Sequence, residues 1–488
     1  MLSAAPVDGV RVPGLLRSHW RSLLLLTLAG VVLRVMFVLV YPGVTDDGVL
    51  YLQLARNLLT THHYLRWLNG HMVPSTARLP GYPLFLAVVL RCFGRDNLLA
   101  VWLIQVGLDI GTAAAAAALT LVLLEAQPQA RRHLAAVLAY GGVALCPFLA
   151  MYTAAILSET PAVLCTTLAL LFGWLALQRG AWRWWWGAGL ALAVGIQMRP
   201  DTGLVLLVLD AAALTSWGRR RPQSQAESRP RPRLAALLLL NLVSLLPVAL
   251  WTVRNAVVLH VFRPLVSSDA EEVGEPTHAG LARWTCTWLS SYRQVEDFLS
   301  DLPASGANLA ALPPWAFDSA QQRAATQALL DRYAANRTMT PELDAAFMQL
   351  AQQRIRAHPL RYALVLPLLR ARSLWLSPRV EFLPITDQWW PPGYWFEDDP
   401  HDFGFTLAYL VLNVLWLGLA AWGVWHTPMP GKAWLVGLVL TRTFALSLYQ
   451  SCEPRYTLEL YPLILIWAAM ALTVRMARLR PASPVQSD

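Results

Sequence analysis

Runs of about twenty apolar residues, bounded by arginines, recur along this chain and limit its fold more tightly than any other feature. They occupy 22–40, 98–124, 134–152, 159–177, 234–257, 403–425, 433–449 and 456–474, with a broken run at 184–209. A helix of ~20 residues crosses the ~30 Å hydrocarbon core of a bilayer. Composition agrees: 56% of the 488 residues are hydrophobic and 14% are charged, where soluble domains carry about 25% charged residues. These proportions exclude a disordered chain, a fibrous chain and an ordinary cytosolic enzyme. The 22 tryptophans suit the headgroup level of a membrane. The net charge of +9 comes from arginines beside the ends of apolar runs, which points to membrane orientation rather than nucleic acid. Five cysteines without close pairing indicate neither a zinc motif nor a disulfide framework.

The first run follows Arg11, Arg17 and Arg21 and has no small-residue cleavage site, so it is expected to stay as an uncleaved helix. Arg34 within it must snorkel or face protein. Arg199-Pro200-Asp201 divides 184–209 into two halves, and the following segment 219–233 carries six arginines and one acid. Positive charge faces the cytoplasm, so both halves are expected to cross, with the turn outside. The resulting scheme has ten crossings, both termini cytoplasmic, and leaves 80–93 and 361–375 as helices on the outer surface. If those pieces also cross, the count becomes eleven to thirteen. The expected organisation is a transmembrane module 1–257 with a first external loop 42–97. An external, mostly helical region 258–402 follows, and then C-terminal helices and tail 403–488. In the external region, Asp318 with Gln321 forms a capping box for a helix to Tyr333, and Thr340-Pro341 starts another toward Ala357. The Ala113–Ala118 run reads as a close-packing helix face.

Chemistry is expected at the outer ends of the spans. Asp47 can cap a helix over 48–59, whose Leu50, Leu54 and Leu58 form one stripe, with Tyr51 one turn on. Asp47 also reads as an outward carboxylate able to accept a proton, and Asp46 and Asp47 can divide the two roles. Arg78 precedes a turn, Leu79-Pro80-Gly81-Tyr82-Pro83, where a guanidinium suits either a substrate phosphate or a lipid headgroup. Glu159, Arg199, Asp201, Arg254, Glu453, Arg455 and Tyr456 stand at other span ends. No phosphate-binding loop, dinucleotide fingerprint or zinc-binding HExxH motif is present, which argues against a nucleotide donor. His62, His63 and His71 are candidate ligands, with Asp46 or Asp47, for a divalent metal.

These segments, in this order, resemble the GT-C class of membrane glycosyltransferases that use polyprenyl-phosphate sugars. The resemblance is to the bacterial branch related to protein O-mannosyltransferases and lipid A aminoarabinose transferases. It rests on Asp47 with Tyr51, the Arg78 turn, Ser158-Glu159, Arg199-Pro200-Asp201, Trp251 to Asn255 and Glu453-Pro454-Arg455-Tyr456. It implies an all-α polytopic fold with two surface-lying helices in the first external loop and Asp47 as the catalytic carboxylate. Tyr51, Glu159, Arg199, Asp201, Glu453 and Tyr456 would support the site, and Arg78, Arg254 and Arg455 would hold the donor phosphate. A lipid, glycan or protein acceptor would attack with inversion at the external face of a bacterial plasma membrane. The aminoarabinose transferases place a lysine where this chain has Arg78, and an arginine scarcely donates a proton. The 258–402 region, with Trp389, Trp390, Glu397, Asp398 and Asp399, is expected to face the acceptor. The competing class is a transporter or flippase of lipid-linked glycans.

Overall fold

The computed structural model describes residues 12–68, 70–218, 234–266, 278–299, 312–390 and 392–479, with Glu272, Val273, Glu275, Leu302 and Leu309. The arginine-rich segment 219–233 that orients the topology lies outside the described residues, as do Arg11 and Arg480. The apolar runs are helices, and the protein is an all-helical membrane protein apart, among the described residues, from one small hairpin. The first helix, α1 (Val12–Val40), leads into the loop segment α2 (Asp46–Thr61), strands β1 (Leu65–Leu68) and β2 (His71–Pro74), and α3 (Gly81–Phe93). Then come α4 (Leu98–Leu123), α5 (Gln129–Ala144), α6 (Pro147–Ala150), α7 (Glu159–Arg179), α8 (Trp182–Met198), α9 (Gly203–Gly218) and α10 (Leu234–Leu259).

Six helices among the described residues are long and apolar enough to span: α1, α4, α7, α10, Pro400–His426 and the stretch Pro454–Arg475. The bent pair Gln129–Ala144 and Pro147–Ala154, meeting at 47°, makes a seventh if it is one span. The halves of the broken run are real helices, α8 and α9, separated by a short 3-10 turn at Pro200–Thr202. At 17 and 16 residues they rise about 24–26 Å, a little less than the ~30 Å core. Each of the ten segments read as a crossing therefore holds a helix or bent pair, but only six reach span length unaided.

Small residues set the packing. Ala113, Ala115, Ala116 and Ala117 of α4 are buried, where α5 and α7 close on it. Arg34 does not snorkel. It is fully buried and pairs with Asp109 of α4 at 2.5 Å, while also donating to the carbonyls of Gly30, Ala144 and Val143. Every donor of the guanidinium that bonds does so inside the bundle, so its charge is satisfied without reaching water.

At one end of the bundle lie the loop elements. The cap of α2 is Thr45, whose hydroxyl accepts from Gly48 N, and Asp46 and Asp47 fall inside the first turn. This corrects the expectation that Asp47 is the cap, and it leaves the Asp47 carboxylate available. The hairpin β1–β2 was not expected; its four-residue arms pair antiparallel and follow α2 and precede α3 in the chain. The described part of 258–402 is mainly helical: α11 (Ala279–Thr285), α12 (Tyr292–Leu299), α13 (Ala320–Asn336), α14 (Pro341–Ala357), α15 (Leu366–Trp375) and α16 (Pro392–Asp398). These helices enclose a separate apolar core that includes Trp284, Trp288, Phe298, Leu330 and Phe347. Thr340 caps α14 as expected, but α13 is capped by Ser319, one residue beyond Asp318. Gln322 rather than Gln321 reaches back, accepting from Asp318 N. Arg370 of α15 is buried and donates to the carbonyls of Leu289 and Ser447. The chain closes with α17 (Pro400–His426), α18 (Lys432–Ser447), a 3-10 turn at Pro454–Leu460 and α19 (Tyr461–Leu479).

Breaking one side of the Arg34–Asp109 pair leaves an uncompensated charge among apolar helices. Arg34→Ala is expected to cost about 3–5 kcal/mol, whereas replacing both residues with Met and Leu costs less or nothing. Thermal unfolding of the two variants in detergent checks this ordering.

Candidate active site

Two close backbone approaches assemble the site. The chain leaving α1 bonds to the segment before α7, with Gly43 N donating to Ala154 O at 2.9 Å and Ile156 N donating to Gly43 O at 3.1 Å. Gly48 lies so near that a Cβ would come within 2.9 Å of Ile156 O. That contact sets the first turn of α2 against Ser158-Glu159. The proline-rich turn is seated similarly, because a Cβ on Gly81 would meet the Gln197 backbone at 2.5 Å. Arg78 is thereby carried toward the end of α8, where Arg199 stands.

The charges brought together form one continuous cluster. Asp47 holds Arg78 through Oδ1 at 2.5 Å and Arg455 through Oδ2 at 2.9 Å. Arg455 also pairs with Glu453 and lies 3.7 Å from Glu159. Glu159 accepts from Arg199 at 2.9 Å, and Arg199 reaches Glu459 at 2.9 Å and Asp201 at 3.4 Å. Arg442 of α18 completes the far end, with Asp201 at 2.5 Å and Glu459 at 2.8 Å. Thr166 and Thr202 add hydroxyl bonds to Glu459. Tyr456 donates to Glu453 at 2.6 Å, and its ring lies under Arg199 and Arg455. Tyr51 is buried edge-on to Tyr82, with the Arg78 guanidinium 5.9 Å from its ring. Four guanidiniums thus share five carboxylates.

Beside Asp47 opens a cavity of about 560 Å³ lined by Thr45, Asp46, Asp47, Tyr152, Glu453, Arg455 and the segment 377–387. Asp46 faces it and makes no ion pair among the described residues. Burial raises the Asp47 carboxyl, but the adjacent Arg78 and Arg455 outweigh it, so the group sits below its ordinary value. Burial lowers Arg78, and nearby Tyr51 and Asp47 raise it further than burial lowers it. The arrangement is a fixed negative group between two permanent positive ones at the mouth of a cavity.

Not every candidate joins this cluster. Arg254 stands apart: it donates to the carbonyls of Ser75 and Tyr64 and to Asn255, and lies against the Tyr64 and Trp251 rings. Its donors brace the hairpin. His62 ends α2, and with His63 and His71 it is exposed. Among the described residues these histidines form no group of three or more with Asp46 or Asp47 that could share an ion. Among the described residues the one such set is Asp399, His401 and Asp402 at the start of α17, the first two exposed and Asp402 half-buried. Both Asp47 oxygens already accept from guanidiniums, so the donors present do not suit a resident metal there. Trp390, Glu397 and Asp398 are exposed and do not line the cavity; its wall comes from 377–387 instead. Sequence reasoning missed Arg442, Glu459 and Glu381. The first two are charges inside apolar runs, a signal of function in itself.

A carboxyl with a depressed pKa stabilises the fold above its unfolded value and loses that contribution as pH falls through the folded one. Asp47 is of this kind. Asp47→Asn is expected to lower the unfolding temperature at pH 7, with the gap to the unsubstituted protein closing below about pH 3.9. Melting curves of both proteins across pH 3 to 7 test it.

Comparison with known proteins agrees with this architecture. Residues 77–251 match the family described as dolichyl-phosphate-mannose-protein mannosyltransferase. That range includes Arg78, Glu159, Arg199 and Asp201 but not Asp47 or Arg455. No match to a curated protein is found. Among solved structures, the Archaeoglobus fulgidus oligosaccharyltransferase tethered to an acceptor peptide aligns with a TM-score of 0.53 at 12% identity, covering 95% of this chain and 50% of that one. The same archaeon's AglB with an inhibitory peptide and dolichol-phosphate gives 0.47 at 12% identity, covering 95% and 51%. ArnT from Cupriavidus metallidurans bound to undecaprenyl phosphate gives 0.39 at 13% identity, covering 93% and 77%. The chain spans about half the length of the oligosaccharyltransferase. It is an all-helical membrane protein with a GT-C-type fold, and its residues 77–251 carry the match to the mannosyltransferase family.

Proposed function

We propose that this protein is a glycosyltransferase that moves a hexosyl or pentosyl group from a polyprenyl-phosphate donor to a lipid, glycan or protein acceptor at the outer face of the membrane. The observation that carries the reading is Asp47 clasped between Arg78 and Arg455 at the edge of the cavity. The matched family's name supports a lipid-phosphate sugar as donor, and the peptide-tethered oligosaccharyltransferase supports transfer to an acceptor. A donor of this kind keeps its tail in the bilayer and presents one phosphate and one sugar at the headgroup level. Guanidinium forks match phosphate oxygens. Arg78 and Arg455 would exchange Asp47 for the donor phosphate, and the freed carboxylate would orient the acceptor toward the anomeric carbon. The acceptor atom forms its bond to that carbon as the carbon–oxygen bond to phosphate breaks. The electron pair leaves on the phosphate, where the two guanidiniums stabilise it. One displacement inverts the anomeric centre. Glu159, Arg199, Asp201, Glu453 and Tyr456 hold the clasp in place rather than react.

Arg78→Ala removes a charge-assisted contact worth about 1.5–3 kcal/mol, so affinity for undecaprenyl phosphate should fall by about ten- to more than a hundredfold. Asp47→Asn should retain lipid-phosphate binding and lose transfer. Purified protein in nanodiscs, titrated with undecaprenyl phosphate and assayed with a radiolabelled lipid-phosphate sugar and crude membranes, reads both. Undiminished transfer by Asp47→Asn, or unchanged binding by Arg78→Ala, would count against the scheme.

A further inference from the structure

The cavity has a second wall that the phosphate clasp does not use. Glu381 is exposed to it, and no other residue's side chain bonds to or pairs with its carboxylate among the described residues. Its neighbour Arg379 is committed elsewhere, donating to the carbonyls of Pro454 and Leu374 and to the Thr457 hydroxyl beneath the Tyr461 ring. Tyr152 lines the same cavity and is 2% exposed, yet its hydroxyl has no hydrogen-bond partner. Its ring packs edge-on against Phe382 at 4.9 Å, which places it next to Glu381 in the wall. A buried phenol without a partner is a polar group awaiting one. Asp47, by contrast, has both oxygens held by guanidiniums, which makes it a weak base.

We propose that Glu381 and Tyr152 form the acceptor subsite, Tyr152 bonding the incoming hydroxyl or amine and Glu381 taking its proton. The assignment rests on the transferase reading above and supplies the destination of the proton that reading leaves open. As the acceptor's oxygen or nitrogen bonds to the anomeric carbon, its proton passes to Glu381, while the electron pair of the broken bond stays on the lipid phosphate. The charged and titratable groups around Glu381 are Arg379, Arg455, Asp387, Tyr152 and Tyr461. Glu381 is exposed on the cavity wall and unpaired among the described residues, so its carboxylate is within reach of an acceptor seated there.

The test uses full-length protein in nanodiscs, with undecaprenyl phosphate as the binding probe and an undecaprenyl-phosphate mannose with crude membranes for transfer. Glu381→Gln should bind undecaprenyl phosphate as the unsubstituted protein does. Its transfer should fall by about 10²–10⁴-fold and lose the acid limb of the pH–rate profile. Glu381→Asp should recover part of the rate and show a shifted limb, and it decides the matter if the Gln variant does not fold. Asp47→Asn should lose rate without moving the limb. A Glu381→Gln protein with full transfer and an unchanged acid limb overturns this assignment and leaves the proposed function standing. Absence of undecaprenyl phosphate binding in the unsubstituted protein overturns both.

Discussion

The paired contacts of Glu459 with Arg199 and Arg442 are the constraint on which the loop end of the molecule depends. Glu459 is 3% exposed and Arg442 fully buried, so neither charge has water to fall back on. Such groups persist only where the charges are well paired. Here Arg199 and Arg442 both face Glu459 Oε1, and Thr166 of α7 and Thr202 of the turn before α9 both donate to Oε2. Four separate parts of the chain, α7, the Pro200–Thr202 turn, α18 and the Pro454–Leu460 turn, are tied at one point. Arg199 is held there from behind, which lets its other side grip Glu159 and in turn confines Arg455.

The site therefore has a rigid back and an adjustable front. Behind, buried carboxylates and guanidiniums compensate one another over several contacts. In front, Asp47 and Arg455 are partly exposed and line the cavity, with the partly exposed Arg78 bound to the other Asp47 oxygen. Preorganised charge held in place by a rigid surround is the arrangement that stabilises a leaving anion. The cluster has one carboxylate more than it has guanidiniums, and Asp47 is the most exposed of the five, so on the proposed reading it is the one a phosphate would displace.

Much of this was legible in the sequence because hydrocarbon imposes simple rules. Span-length apolar runs became helices, and the break at Arg199-Pro200-Asp201 appeared where proline and charge interrupt the run. The residues at 47, 78, 159, 199, 201, 453 and 455 were identifiable because charge at a span end is conspicuous. Their partners were less visible. Arg442 and Glu459 lie inside apolar runs and were absorbed into the count of crossings. Thr45 caps α2 because its hydroxyl reaches Gly48, and sequence alone does not separate it from Asp47 two residues on. The β-hairpin escaped because its strands are four residues long and lack a clear alternation. Arg254 looked like its fellow arginines, but a tyrosine and a tryptophan drew it to the hairpin. The wall at 377–387 has no motif, and only the folding of one loop against another reveals it.

One contact also orders events in time. Asp47 and Arg455 are 408 positions apart. A ribosome emits the N-terminal half first, so Glu159, Arg199 and Asp201 enter the bilayer before Arg442 and Glu459 exist. During that interval Arg199 has Glu159 and Asp201 beside it, but Asp47 has no Arg455 to hold it. The clasp at the cavity therefore closes only when the two ends of the chain are both in place, and a chain cut before 453 would keep Arg78 and Asp47 yet lose the second guanidinium between which the carboxylate is held.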